Sequence, residues 1–309
     1  MSWKFYCLRM KLKSPLHIGT YKISHFNPTR LYVPGKVVWA ALTATITRYI
    51  DSSDYKGVGN FLNTHLKFGY YFPTLLYKNG SEEIFHPNYT SNGLIYGNIS
   101  KLSEAEFKSM FLSSQASTAI DPHSKTAKDE MLHEIEFINH HTISSDKEDS
   151  QQVFLNGVLW VKEGRENSYQ IKVIDKSIHF IYNNSNDIDI HKSLNKILQI
   201  GGERNYGFGA IELKKLDDNV DQFHFTWKEK SKQIFLSLKK NGSILAHVGY
   251  DDKLEIKGNI EPLVSRVWSD NGAGKKLENK EYHWVPGSKI LKNYQFKICK
   301  DGIWKLYFL

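Results

Sequence analysis

Residues 201–209 read GGERNYGFG, and this stretch lies between an amphipathic segment, His191 to Ile200, and a strand-like one, Ala210 to Leu216. Four glycines in nine residues permit positive φ and close backbone approach. Amide groups exposed in such a loop can cradle phosphate. The flanking order is decisive. A P-loop or a dinucleotide-binding loop follows a strand and opens a helix, whereas this loop follows a helix-like segment and opens a strand. It also lacks a GKS or GKT ending. The ATP and NAD readings are therefore poor, and no cofactor is expected. The structural alternative is a glycine-rich turn required for tight packing. In the binding reading, Gly201, Gly202, Gly207 and Gly209 supply backbone, Arg204 and Lys196 add charge, and Asn205, Tyr206 and Phe208 meet bases.

Working outward, Trp3 to Lys13 is a predicted strand, with Tyr6, Leu8, Met10 and Leu12 on one face by period two. Val33-Pro34-Gly35 is a turn. Val37 to Ile50, apolar nearly all round, is a predicted helix sandwiched between layers. Its start, beside Lys36, is a ready anion site. Trp39 near that end can stack on a base, although an aromatic in an apolar helix more often belongs to the core. Ser103 and Glu106 form a capping box at a short helix. Asn79-Gly80, Asn241-Gly242 and Asp301-Gly302 each sit between strand-like runs and predict hairpins. His191 to Ile200 reads as an amphipathic helix ended by Gly201-Gly202. Asp217 to Gln222 is the best linker. Mixed helices and antiparallel strands make the fold class α+β.

The chain has 309 residues, a formal net charge of +8 and 13% aromatic residues. That length allows two domains and needs no staple for size reasons. Two cysteines, Cys7 and Cys299, form neither a zinc ribbon nor a disulfide framework. Free cysteine fits a reducing cytosol. The charged start, MSWKFYCLRMKLK, is unlike a signal peptide, and no apolar run is long enough to span a membrane. The expected location is cytoplasmic, with no membrane partner. Basic charge with abundant rings suits single-stranded nucleic acid, where lysines meet phosphates and bases stack. The alternative is that a Lys/Asn/Ile-rich chain reflects an AT-rich genome and that the aromatics fill β-rich cores. The His123, His133, His140 and His141 group lacks the HExxH spacing, so no metal site is expected. Residues 258–290 carry Arg266, Trp268 and a Gly272-Ala273-Gly274-Lys275-Lys276 loop, in which Lys275 and Lys276 fit a phosphate contact.

Together these motifs resemble the RAMP superfamily of CRISPR-associated proteins. The carriers are SPLHIG (residues 14–19), VPGK (residues 33–36) and GGERNYGFG, in that order. TAIDPHSKTAKDEMLHEIEF resembles the family's protruding β-hairpin, keeping Asp121, Thr126, Ala127, Leu132 and Glu134, with Pro122 where arginine is commoner. The resemblance implies tandem ferredoxin-like (RNA-recognition-motif) domains with antiparallel sheets and a β-hairpin insertion. The expected units are 1–216, with the insertion near 114–152, and a smaller 217–309.

EPLVSRVW and WVPGSK after the glycine loop are similar to the second domain of the subunit that caps type III complexes, especially III-D, and related type VII ones. The implied function is non-catalytic: gripping the five-prime handle of CRISPR RNA in an antiviral ribonucleoprotein. Implied partners are that RNA, sister backbone subunits and a separate nuclease or signalling subunit. Arg204 and Arg266 are the strongest candidate contacts, joined by Arg30, Lys36, Trp39 and Arg48. Two relatives remain open. A guide-processing endoribonuclease needs a general-base histidine, for which His17 and His25 are the early candidates. A repeated backbone subunit is the other. Backbone relatives that cut targets use an Asp in an early loop; no Asp lies between Met1 and Ile50, so no target cleavage is expected.

Overall fold

The computed structural model describes residues 2–126, 131–144, 149–184, 186–218, 220–269, 272–278 and 281–307. The N-terminal half is built on β1 (Lys4–Leu12), α1 (Gly35–Tyr49), α2 (Tyr55–His65), β2 (Leu66–Leu76), β3 (Glu82–Ile84), α3 (Glu104–Phe111), β4 (Leu112–Ser117), β5 (His133–Ile138), β6 (Phe154–Val161), α4 (Ile190–Ser193) and β7 (Ile211–Leu213). Five of the strands form one antiparallel sheet in the order β7-β1-β6-β2-β3.

The period-two pattern of β1 sorts its two faces. Tyr6, Leu8, Met10 and Leu12 join the core that contains Val38, Leu42 and Ile46 of α1 and Val58, Phe61 and Leu62 of α2. Trp3 and Cys7 join a second core with Tyr70, Phe72 and Trp160. The sheet is thus covered on both sides. Gly35 opens α1 because a side chain there would strike β2: an added Cβ would lie 2.3 Å from the Phe68 carbonyl oxygen. Thr43 and Thr47 are buried in α1 and bond back to carbonyls four residues earlier, which satisfies their hydroxyls. The Ser103–Glu106 capping box opens α3 as expected. The β-hairpin insertion is the β4–β5 ladder, Leu112 opposite Ile138 through Ser117 opposite His133. Ala127 of the hairpin motif lies outside the described residues.

The second half is made of β8 (Thr226–Lys230), β9 (Gln233–Leu238), β10 (Val248–Gly249), β11 (Ile260–Pro262), β12 (Ser265–Ser269), β13 (Gly272–Glu278), β14 (Tyr282–Trp284), β15 (Tyr294–Ile298) and β16 (Trp304–Leu306). Seven of these form a sheet ordered β8-β9-β15-β16-β10-β14-β11, while β12 and β13 pair separately. Phe223, Leu236, Phe296 and Trp304 share the second core with Phe72 and Trp160, so this sheet packs on the face of the first that the helices leave open.

Three expectations need correction. The smaller C-terminal unit is not ferredoxin-like, because among the described residues after Leu216 there is no helix. The helix expected over His191 to Ile200 is α4 alone. Asn195 bonds both ways to the backbone of Leu213, at 2.8 and 3.1 Å, and this tie to β7 draws the chain out of the helical path. The Asn241-Gly242 turn forms, with Gly242 donating to Lys239, but no hairpin follows. β9 pairs with β15 instead, and the chain after the turn runs beside Ser288 and Ile290. The Asp301-Gly302 turn does join paired strands, β15 and β16.

Candidate nucleic-acid interface

The motifs SPLHIG and GGERNYGFG are locked together through backbone. Gly209 N–H donates to the Pro15 carbonyl at 2.7 Å, and Gly202 N–H to the His17 carbonyl at 2.9 Å. Ala210 N–H donates to the Ser14 hydroxyl at 2.9 Å. Gly201, Gly207 and Gly209 all adopt positive φ. His17 is buried, and its Nδ1–H donates to the Glu136 carbonyl at 2.7 Å, which ties the hairpin to the same junction. Phe208 is buried edge-on against Phe137 at 5.2 Å and pins the loop from the other side. The loop is therefore rigid where it meets the body, and its tip projects.

Beside this junction lies a cleft of about 710 Å³. Four segments form most of its wall: Ile18 to Tyr21 after β1, Pro34 to Ala44 at the start of α1, Gln199 to Arg204, and Ile260 to Arg266; Arg30, Tyr70, Asp301 and Ile303 complete it. Three features matter chemically. Lys36, Arg204 and Arg266 bring positive charge from three segments, against the carboxylates of Glu261, which pairs with Arg30, and Asp301. Gly201 and Gly202 present bare backbone. Val37, Ala40 and Ala44 on one side and Leu263 and Val264 on the other form an apolar recess. A site with charge at its rim and small apolar side chains within suits a ligand that is anionic in one part and flat or greasy in another.

The floor is a polar network. Arg30 is only 11% exposed and forms an ion pair with Glu261, and it also donates to the Tyr32 hydroxyl. His247, fully buried, donates from Nε2 to Glu261 at 2.5 Å and accepts at Nδ1 from the Tyr70 hydroxyl at 2.7 Å. Burial would raise the Glu261 carboxyl, but the His247 hydrogen bond and the Arg30 charge outweigh it and bring it to about 2. Burial lowers His247 below its ordinary value, so the ring is neutral near pH 7. The network stitches the first half of the chain to β11.

Burial also holds His86 at about 3 and His191 at about 4. Each of these histidines has a folded value below its unfolded value of about 6.5. Their stabilising contribution is full above pH 6.5 and is lost as pH falls toward 3. Glu261 adds a loss between about pH 4.5 and 2. The thermal midpoint is expected to be flat from pH 8 to 7 and to decline steadily from pH 6.5 to 4. A midpoint unchanged at pH 4.5, measured by circular dichroism, contradicts neutral burial of these rings.

The structure sorts the sequence-based site residues. Lys36, Gly201, Gly202, Arg204 and Arg266 line the cleft. Arg30 also lines it, and its ion pair with Glu261 makes it part of the floor. Trp39 does not line the cleft. Its indole N–H donates to the Gly59 carbonyl at 3.0 Å and fixes α1 against α2. Phe208 and Gly209 serve the junction. Asn205, Tyr206 and Gly207 lie at the exposed tip outside the cleft, where Tyr206 is 75% exposed. Arg48 and Lys196 are exposed and do not line the cleft; Arg48 lies about 18 Å along α1 from Lys36 at 1.5 Å per residue. Lys275 and Lys276 are exposed on β13, also outside it. The Trp268 side chain lies outside the described residues. His25 is exposed and away from the cleft lining.

Sequence reasoning missed Thr20, Tyr21 and Tyr70, which also line the cleft. Thr20 and Tyr21, the latter 66% exposed, directly follow the SPLHIG motif, and that adjacency was the available signal. Among the described residues, no group of three or more His, Cys, Asp or Glu side chains is arranged to hold a metal ion. Among them, too, no helix is long and apolar enough to cross a membrane.

A model of the RAMP superfamily matches residues 9–212, more than half of the chain. The chain belongs to the RAMP superfamily. The matched RAMP span carries three of the four cleft segments, and the fourth, around β11 and Arg266, follows it. No curated protein matches the chain. Among solved structures, it is similar to a chain of the type III-B Cmr-beta complex bound to cognate target RNA, at 13% identity and a TM-score of 0.49, covering 92% of this chain and 86% of that one. The same complex with target RNA and AMPPnP gives 13% identity and a TM-score of 0.48, over 92% and 85%. Its apo state gives 10% identity and a TM-score of 0.36, over 71% and 98%.

Proposed function

We propose that this RAMP protein is a non-catalytic RNA-binding subunit that grips the five-prime handle of a CRISPR RNA and caps an effector ribonucleoprotein. The observation that carries the reading is the convergence of Lys36, Arg204, Arg266 and the Gly201-Gly202 backbone on one cleft with an apolar recess. Handle phosphates meet the three cations, and arginine suits them because its planar fork matches phosphate oxygens. One splayed base enters between Ala40 and Leu263, while Tyr21 offers an exposed ring for a neighbouring base. The N-terminal strand order β7-β1-β6-β2, with α1 after β1 and α4 before β7, supports reading that half as a ferredoxin-like RNA-recognition unit.

Sister backbone subunits, and a separate nuclease or signalling subunit, complete the complex in this reading, and the chain turns over no substrate. The endoribonuclease alternative gains nothing from His17, which is buried and does not line the cleft. The test is to purify the protein with its neighbouring gene products, extract the RNA and sequence it. Guides sharing one repeat-derived five-prime end are expected. A preparation without RNA, or RNA with random ends, overturns the proposal.

A further inference from the structure

On the second sheet, away from the cleft, lies a larger open groove of about 1030 Å³. It shares no lining residue with the cleft. Its floor is aromatic. Phe225 stacks on buried Trp160 at 6.2 Å and 26°, and Trp227 leans on Phe5 at 5.6 Å. Tyr294 backs onto buried Phe296 at 6.0 Å. Each of these three rings is half-buried, packed against the core and part of the groove lining. At the rim, the turn that begins at Lys239 presents Lys239 and Lys240, both exposed. Neither forms a salt bridge among the described residues. The lining sets these two lysines against one carboxylate, Asp221.

We infer that this groove is a second RNA site, which holds a short single-stranded segment by stacking bases on Phe225, Trp227 and Tyr294 while Lys239 and Lys240 meet its phosphates. Rings held by the core cost little ordering on binding, and every base has a face to stack, so the site is tolerant of sequence. The excess of lysine over carboxylate in the lining favours a polyanion over an apolar peptide. The site is independent of the cleft, and its binding does not require a handle sequence.

The test uses the full chain carrying Arg204→Glu and Arg266→Glu, so that the cleft reading plays no part. The probe is a ten-nucleotide oligouridylate, followed by fluorescence anisotropy, with ultraviolet cross-links mapped by mass spectrometry. Residual binding is expected, with cross-links at residues 223–227 or 293–295. Adding Lys239→Glu and Lys240→Glu is expected to weaken it about tenfold or more and to flatten its salt dependence. Both lysines are exposed, so the thermal midpoint stays unchanged. Absence of residual binding, cross-links elsewhere, or an affinity indifferent to the lysine changes overturns the inference and leaves the groove to a protein partner.

Discussion

Arg204→Glu combined with Arg266→Glu is expected to lower affinity for a handle-bearing guide RNA by at least about a hundredfold. The two arginines come from segments far apart in sequence, yet both line the cleft that the glycine loop borders. A charge-assisted hydrogen bond contributes about 1.5–3 kcal/mol, and two lost together amount to roughly 3–6 kcal/mol before any repulsion from the new carboxylates. Both arginines are exposed, so the fold tolerates the change. The salt dependence reports the same contacts: losing two phosphate partners reduces the slope of log affinity against log salt by about 1.4. The control is Arg48→Glu with Lys196→Glu. It makes the same change in net charge outside the cleft and, at physiological salt, acts only through a field screened over about 8 Å. Its effect is expected to be within about threefold. Equal losses from the two pairs, in filter binding or anisotropy, would reduce the cleft to general basic charge.

Gly209→Ala is expected to destabilise the protein by about 3–5 kcal/mol, whereas Gly207→Ala costs about 1 kcal/mol. Both glycines have positive φ, +77° and +84°, so both substitutions meet the same backbone penalty. Their surroundings differ. A Cβ at Gly207 meets nothing within 4 Å, but at Gly209 it would lie 1.9 Å from the Ile200 carbonyl oxygen. Backbone cannot yield there without breaking the Gly209 bond to Pro15 and the Ile200 bond to Gly209, which hold the loop to the strand end. In a domain of this size each kcal/mol lowers the midpoint by about 2–4 °C. The expected shifts are roughly 10 °C and roughly 3 °C in thermal unfolding. Equal shifts would mean that the loop is not clamped at Gly209.

Where one local rule decides an element, the sequence was a sufficient guide. Alternation places Tyr6, Leu8, Met10 and Leu12 in one core, and reciprocal side-chain and backbone bonds start α3. Where partners are remote, it was not. β9 finds β15 across more than fifty residues, and nothing local marks that choice over the Asn241-Gly242 hairpin. α2 carries Gly57 and Gly59, poor helix formers, and is held by burial of Val58, Phe61 and Leu62. Tertiary contact also overrode propensity at Asn195.

The candidate site divides along the same line. The motifs announced the glycine loop and the cation at the start of α1, but not the seat of that loop on SPLHIG. Whether a residue faces the cleft depends on its neighbours. Glu261 pairs with Arg30, Gly59 holds Trp39, and Phe137 covers Phe208. The fourth wall depends on β11 pairing with β14, again a non-local event.

The most direct test of the cleft assignment is a cross-linking map of the assembled complex. The guide would carry a photoreactive base at successive positions of its five-prime handle, and the attached peptides would be identified by mass spectrometry. The account predicts that handle positions attach to residues 18–21, 199–204 or 260–266. Handle cross-links confined to sister subunits, or to surfaces of this chain away from those segments, would contradict it.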